Sequence, residues 1–97
     1  MAQTVEFHPD ARDELVAARD WYAERGESVA VRFTSEVERA IDKISENPIR
    51  WPLFLSDTRR YVLRRFPCSV VYRESTGNIE VLALAHNRRR PGYWQHR

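Results

Sequence analysis

The sequence predicts one α+β domain: a short N-terminal strand, a helix hairpin, and then a three-stranded antiparallel sheet, in the order β-α-α-β-β-β. Two segments of the first half carry apolar residues at helical spacing. Three short segments of the second half are rich in β-branched and aromatic residues. A chain of 97 residues is long enough for one modest core and too short for two, so we treat residues 1–97 as a single domain.

The first helix is predicted to begin at Pro9, after a candidate strand over residues 4–7. Proline suits the first helical position because the N–H that it lacks would have no partner there. Apolar residues then follow at spacings of four, three and four, which is one face of a helix. They are Ala11, Leu15, Ala18 and Tyr22. Gly26 predicts the end of this helix.

The second helix is predicted from Ser28 to the Asn47-Pro48 pair, where the proline stops it. Its apolar face consists of Val29, Phe33, Val37, Ala40, Ile41 and Ile44. We assign the charged residues of both helices, including the pairs Asp13 with Glu14 and Glu36 with Glu38, to solvated faces. Two amphipathic helices joined by a short turn predict an antiparallel hairpin that needs a cover for its apolar side.

Three strand segments supply that cover, at residues 60–66, 70–73 and 79–86. The first alternates between its two faces, as a half-buried strand does. The last is almost wholly apolar, which is typical of a strand buried on both faces, so we place it in the interior of the sheet. In the loop before the first of these strands, Trp51 and Phe54 are expected to pin the loop to the core.

The net charge of +2 conceals a strong division along the chain. Residues 1–58 carry seven basic and twelve acidic residues, a net charge of −5, whereas residues 59–97 carry nine and two, a net charge of +7. Fifteen of the 16 basic residues are arginine. Because arginine presents a planar fork of donors to carboxylates and phosphates, this half of the chain favours an acidic or polyanionic partner.

Most chemical motifs are absent from the sequence. The three glycines are isolated, so there is no phosphate-binding loop, and the three histidines and the single cysteine have no metal-ligand spacing. We expect neither a metal nor another cofactor, and we interpret Cys68 as a small apolar residue of a strand. With one cysteine, no signal peptide and no apolar stretch of about 20 residues, the expected location is the cytoplasm.

What remains is a set of arginines interleaved with aromatic residues in the C-terminal half. The arginines that we predict to contact a target or partner are Arg59, Arg60, Arg64, Arg65, Arg88, Arg89 and Arg90. Arginines beside stacking platforms suit RNA. They suit an acidic peptide equally well. The residue pattern by itself leaves both partners open.

The strand pair RRYVLRRFPCSVVYRE and the ending AHNRRRPGYW resemble the RelE/ParE superfamily, the toxins of bacterial type II toxin–antitoxin modules. The resemblance covers essentially the whole chain. It implies a compact cytoplasmic toxin that is neutralised when an acidic C-terminal segment of its cognate antitoxin wraps around it. Such a partner would account for the basic half of the chain.

The superfamily divides by target. The RelE-like branch cuts messenger RNA on the ribosome, and in this chain the resemblance would assign that catalysis to Arg88, Tyr93 and Trp94. Where that branch has an arginine in the middle strand, this chain has Ser69. Removing such a charged group from an active site typically lowers the catalytic rate about 10²-fold or more. We therefore favour the ParE-like branch, which implies a gyrase poison of the kind linked to plasmid stabilization rather than an enzyme. The alternatives are a ribosome-dependent endoribonuclease and a non-toxic or otherwise specialised relative.

Overall fold

The computed structural model describes residues 3–97, which form a helix hairpin packed on one face of a four-stranded sheet. The elements are β1 (Thr4–Phe7), α1 (Pro9–Arg25), α2 (Glu27–Glu46), a short 3-10 turn (Pro48–Arg50), β2 (Thr58–Val62), β3 (Cys68–Ser75) and β4 (Asn78–His86). The predicted α+β class and element order are confirmed. None of the helices within residues 3–97 is long and apolar enough to cross a membrane.

The sheet has the strand order β1-β4-β3-β2, and this corrects the prediction of three strands. The last three strands form an antiparallel meander, as expected. The fourth member is β1, which pairs in parallel with β4, from Thr4 opposite Asn78 to Phe7 opposite Val81. Pairing with β1 covers the outer edge of β4 over residues 78–81, so that β4 lies between two strands in the interior of the sheet, as its apolar sequence predicts.

A bulge in β4 explains why that strand shows no alternation. Val71 of β3 lies opposite Ala83, but its neighbour Tyr72 lies opposite Val81, so Leu82 is an extra residue. One extra residue reverses which face the following side chains point to. The apolar residues of β4 therefore serve both faces of the sheet.

Two clusters of buried side chains use those two faces. The first lies between the helix hairpin and the sheet, and it contains Phe33 and Tyr72, both 0% exposed. The second lies on the face away from the helices, where Val71, Leu82, Ala83, Ala85 and Trp94 pack together with Phe54 and Tyr93. The predicted stripe of α1 and that of α2 from Phe33 onward face the first cluster, whereas Val29 lines a surface cleft. The predicted packing of Trp51 and Phe54 is confirmed, one against each cluster.

Some element boundaries differ from the prediction. β2 ends at Val62 rather than at residue 66, because the chain turns there. The N–H of Leu63 donates to the carbonyl of Cys68 at 2.9 Å, and the N–H of Cys68 donates to the carbonyl of Phe66 at 2.8 Å. β3 is correspondingly longer than its predicted four residues. Gly26 ends α1 as predicted, but it also caps α2, which begins at Glu27 instead of Ser28.

Replacing Phe33 with Ala should lower the free energy of unfolding by about 3–5 kcal/mol, because the ring is fully buried among aromatic side chains of α1 and the 63–67 turn. The matched control is Val62→Ala on β2, whose side chain is largely exposed and should cost less than about 1 kcal/mol. Urea denaturation of both variants measures the difference. Equal losses would contradict the placement of α2 against the core.

Candidate functional site

One end of the sheet gathers most of the predicted arginines. β2 ends, β3 begins and β4 ends at this end, since Val62 pairs with Ser69 and Cys68 pairs with His86. The two chain segments that leave the sheet here also touch, because the N–H of Asn87 donates to the carbonyl of Pro67 at 2.8 Å. This end of the molecule, which we call the basic end, carries five of the seven predicted arginines: Arg64, Arg65, Arg88, Arg89 and Arg90.

The other two predicted arginines lie on β2 and are engaged within the fold. The guanidinium of Arg59 donates to the carbonyls of Trp51 at 2.6 Å and Ile49 at 3.3 Å. The guanidinium of Arg60 stacks over the ring of Phe54 at 4.0 Å from its centroid. Both side chains hold the loop before β2 against the sheet.

Glu14 of α1 is a functional residue that the sequence analysis missed. Its side chain is only 15% exposed, so its assignment to a solvated face was wrong. It accepts hydrogen bonds from the Leu84 N–H at 3.1 Å, the Tyr93 hydroxyl at 2.7 Å and the Arg97 guanidinium at 2.9 Å. Arg89 approaches the same carboxylate at 3.4 Å. Helical periodicity gives no signal of this role, because the partners of Glu14 lie about 70 or more residues along the chain.

This carboxylate holds the C-terminal segment across the second face of the sheet. Arg97 binds both Glu14 and the carbonyl of Leu82, the latter at 2.8 Å. In the same segment Trp94 is 2% exposed and packs against Phe54, so the aromatic residues after the arginine run fold back onto the sheet. Burial, and then the hydrogen bond to Glu14, raises the pKa of Tyr93, so its hydroxyl remains a neutral donor.

Two residues at the start of β3 have structural roles. The Ser69 hydroxyl is buried and donates to the side-chain oxygen of Asn87 at 2.7 Å, so it ties β3 to the segment after β4. Cys68 is buried, and burial raises the pKa of its thiol to about 11. The interpretation of Cys68 as a small apolar strand residue is confirmed, because a protonated, covered thiol is a poor nucleophile.

A second buried carboxylate shapes the turn after β2. Glu36 of α2 is 7% exposed, so its assignment to a solvated face was also wrong. It accepts hydrogen bonds from the backbone N–H groups of Arg64 at 2.5 Å and Arg65 at 3.2 Å. These bonds satisfy the two backbone N–H groups of the turn, while the side chains of both arginines remain exposed.

The arginines of the basic end thus differ in how far the fold already uses them. Arg89 contacts Glu14 and stacks over the Tyr93 ring at 3.8 Å. The side chains of Arg64, Arg65, Arg88 and Arg90 form no hydrogen bond or ion pair with any residue from 3 to 97. Those four guanidinium groups are available to a partner. Across the same residues, no three histidine, cysteine or acidic side chains come together as a metal site.

The fold places the chain in a structural class whose solved members come from toxin–antitoxin systems. The chain superposes on a structure of the chromosomal ParDE system of P. aeruginosa with a TM-score of 0.76 and 18% identity, covering 88% of this chain and 96% of that one. For a RelBE2 toxin–antitoxin complex of Mycobacterium tuberculosis the TM-score is 0.61 and the identity 24%, covering 89% and 99%.

The sequence identifies the family within that class. A family model for the ParE toxin of the type II toxin–antitoxin system parDE matches residues 5–91. The chain therefore belongs to the ParE toxin family, and the predicted superfamily and toxin function are confirmed. A search of curated protein sequences finds no significant match.

Replacing Glu14 with Gln should lower the free energy of unfolding by about 3 kcal/mol, because the largely buried guanidinium of Arg97 would keep only the exposed carboxylate of Asp10 as a counter-charge. Amide hydrogen exchange should accelerate over residues 91–97. The control is Asp13→Asn, which removes the same charge from the exposed neighbouring position and should leave both measurements near the parent values. Identical behaviour of the two variants would show that Glu14 does not hold the C-terminal segment.

Proposed function

We propose that this protein inhibits DNA gyrase and that a cognate antitoxin neutralises it. The observation that carries the proposal is the pair of unengaged guanidinium groups of Arg88 and Arg90, which flank the anchored Arg89 at the end of a buried strand. Rigidly supported cations lose little conformational freedom when they meet an acidic or phosphate-bearing surface. Gyrase with its bound DNA offers such a surface. The site of action on this proposal is the cytoplasm.

The alternative, ribosome-dependent cleavage of messenger RNA, has less support in the geometry. Phosphoryl chemistry needs positioned cations and a group that moves a proton. Ser69 stands where the RNA-cutting branch has an arginine, and its hydroxyl is committed to Asn87. The Tyr93 hydroxyl is committed to Glu14, and Trp94 is buried. Of the alternative catalytic set, only Arg88 remains free, so we propose a poison rather than an enzyme.

An apolar groove between the two helices suits the antitoxin. It has a volume of about 430 Å³, and Val16 at its rim is 42% exposed. Its apolar lining consists of Phe7, Leu15, Val16, Val37 and Ile41. An amphipathic helix binds such a groove through residues at helical spacing. We propose that a helical part of the antitoxin lies here and that its acidic C-terminal segment continues onto arginines of the toxin. In a parDE-type module this pairing would serve plasmid stabilization.

Purified protein should inhibit DNA supercoiling by gyrase and increase the amount of cleaved DNA, because the proposed complex stalls the enzyme after strand cleavage. Programmed ribosomes should show no new cleavage of messenger RNA. The same protein preparation is used in both assays, with heat-denatured protein as control. Ribosome-dependent cleavage that is lost in Arg88→Ala would replace the gyrase proposal with the endoribonuclease alternative.

The double variant Arg88→Ala with Arg90→Ala should lose growth inhibition in cells, since it removes the two free cations of the 88–90 run. Arg89 is left in place because it contacts Glu14 and Tyr93. The free energy of unfolding should stay within about 1 kcal/mol of the parent, as is usual for exposed positions. Arg12→Ala with Arg19→Ala removes the same charge from α1 and should remain toxic. A folded, fully toxic Arg88/Arg90 variant would contradict the assignment of these two arginines.

A further inference from the structure

A pocket between α2 and the turn after β2 joins Arg64 and Arg65 of the basic end to two cations of α2 that are distant from them in sequence. It has a volume of about 430 Å³. Its lining residues are Glu36, Arg39, Lys43, Tyr61, Arg64 and Arg65. We call it the α2 pocket. Two of its four cations, Arg39 and Lys43, belong to the acidic half of the chain and were assigned only to a solvated helix face.

The pocket is built around the buried carboxylate of Glu36. Glu36, Arg39 and Lys43 follow at spacings of three and four, so they lie on one stripe of α2. Glu36 then fixes the turn across that stripe by accepting the N–H groups of Arg64 and Arg65. The ring of Tyr61, which is almost fully buried, closes the pocket on the side of the sheet.

The charges of the pocket are unbalanced. Its one carboxylate is held by two backbone donors, and none of its four cations forms an ion pair with any residue from 3 to 97. Four unpaired cations around one concave surface raise the local positive potential. Arg89 differs from Arg64 and Arg65 at the basic end, because Glu14 already compensates its charge. The α2 pocket therefore favours an anionic group supplied from outside the domain.

We propose that the α2 pocket binds carboxylate side chains of an acidic peptide segment of the antitoxin, and that it is separate from the toxic surface at Arg88 and Arg90. The identity of the peptide as antitoxin rests on the proposed function. A peptide is favoured over a nucleic acid because a mixed cleft adjoins the pocket and shares Glu36, Arg39 and Arg65 with it. This cleft combines three apolar side chains with two polar ones, namely Val29, Val31 and Phe66 with Arg32 and Ser35. A peptide can place an aliphatic anchor against the two valines beside its acids, whereas the apolar part of a nucleic acid is a flat base that stacks best on an aromatic ring or a guanidinium plane.

The direct test is a titration of the full-length ¹⁵N-labelled protein with the peptide hexaglutamate, followed by NMR. The backbone amide signals of Arg64 and Arg65 should shift, since both N–H groups line the turn that the peptide would contact. Arg39→Ala with Lys43→Ala should raise the dissociation constant about fivefold, as expected for two lost ion pairs at an exposed site. Arg88→Ala with Arg90→Ala removes the same charge and should raise it less than about twofold.

Three results would overturn the proposal. Absence of shifts at Arg64 and Arg65 would show that the pocket binds no peptide carboxylate. An equal loss of affinity in both double variants would show attraction to overall charge rather than to this pocket. A hexathymidylate oligonucleotide that shifts the same two amide signals and binds more tightly than hexaglutamate, at the same ionic strength, would identify a nucleic-acid site instead.

Growth assays then test the separation of the two surfaces. The Arg39/Lys43 variant should remain toxic and the Arg88/Arg90 variant should not. Loss of toxicity in the Arg39/Lys43 variant would place the α2 pocket within the toxic surface and overturn their separation. If the parent protein does not arrest growth, the proposed function fails, while the NMR titration still decides whether the pocket binds an acidic peptide.

Discussion

The arrangement of the basic end depends on the contacts that the carboxylate of Glu14 makes. It joins α1, the bulged strand β4 and the C-terminal segment, three parts of the molecule that are distant in sequence. Without this anion, the guanidinium of Arg97 would lie largely buried with no carboxylate beside it except that of the exposed Asp10. The second face of the sheet would then lose the segment that covers it with Trp94. One ion pair thus supports a whole layer of packing, which is a larger role than an exposed pair could have.

Glu36 organises the turn after β2 much as Glu14 organises the C-terminal segment. Both carboxylates come from the acidic half of the chain, and each organises a segment of the basic half. Glu36 does so through two backbone N–H groups, whereas Glu14 accepts from the N–H of Leu84 and from the side chains of Tyr93 and Arg97. The division of charge along the sequence therefore serves the fold in part, because two acids of the helices hold two arginine-bearing segments. The fold accounts for only part of this charge division, because the side chains of Arg64, Arg65, Arg88 and Arg90 have no partner among residues 3–97. These four unpaired arginines are the ones that favour a binding partner.

The sequence was sufficient where a local rule decides the structure. Helical spacing placed Phe33 and its stripe against the core, and the unbroken apolar run of β4 placed that strand in the interior of the sheet. It was insufficient where a long-range contact decides. Four residues of β1 carry no sign of their parallel partner, and the end of β2 is set by hydrogen bonds to Glu36 and across the turn. The roles of Glu14 and Glu36 depend on which groups the sheet brings to the helices, and no spacing rule contains that information.

The distinction between engaged and free cations gives the run from Arg88 to Arg90 a physical interpretation that its sequence lacks. Three adjacent cations repel one another, and a free domain gains little by holding them together. Here the middle residue is fixed by Glu14 and by the ring of Tyr93, and both neighbours are thereby carried on a segment anchored at its centre and at β4. Such anchoring reduces the entropy that the flanking guanidinium groups lose on binding. Glu14, which stabilises the C-terminal layer, therefore also holds the segment that carries Arg88 and Arg90.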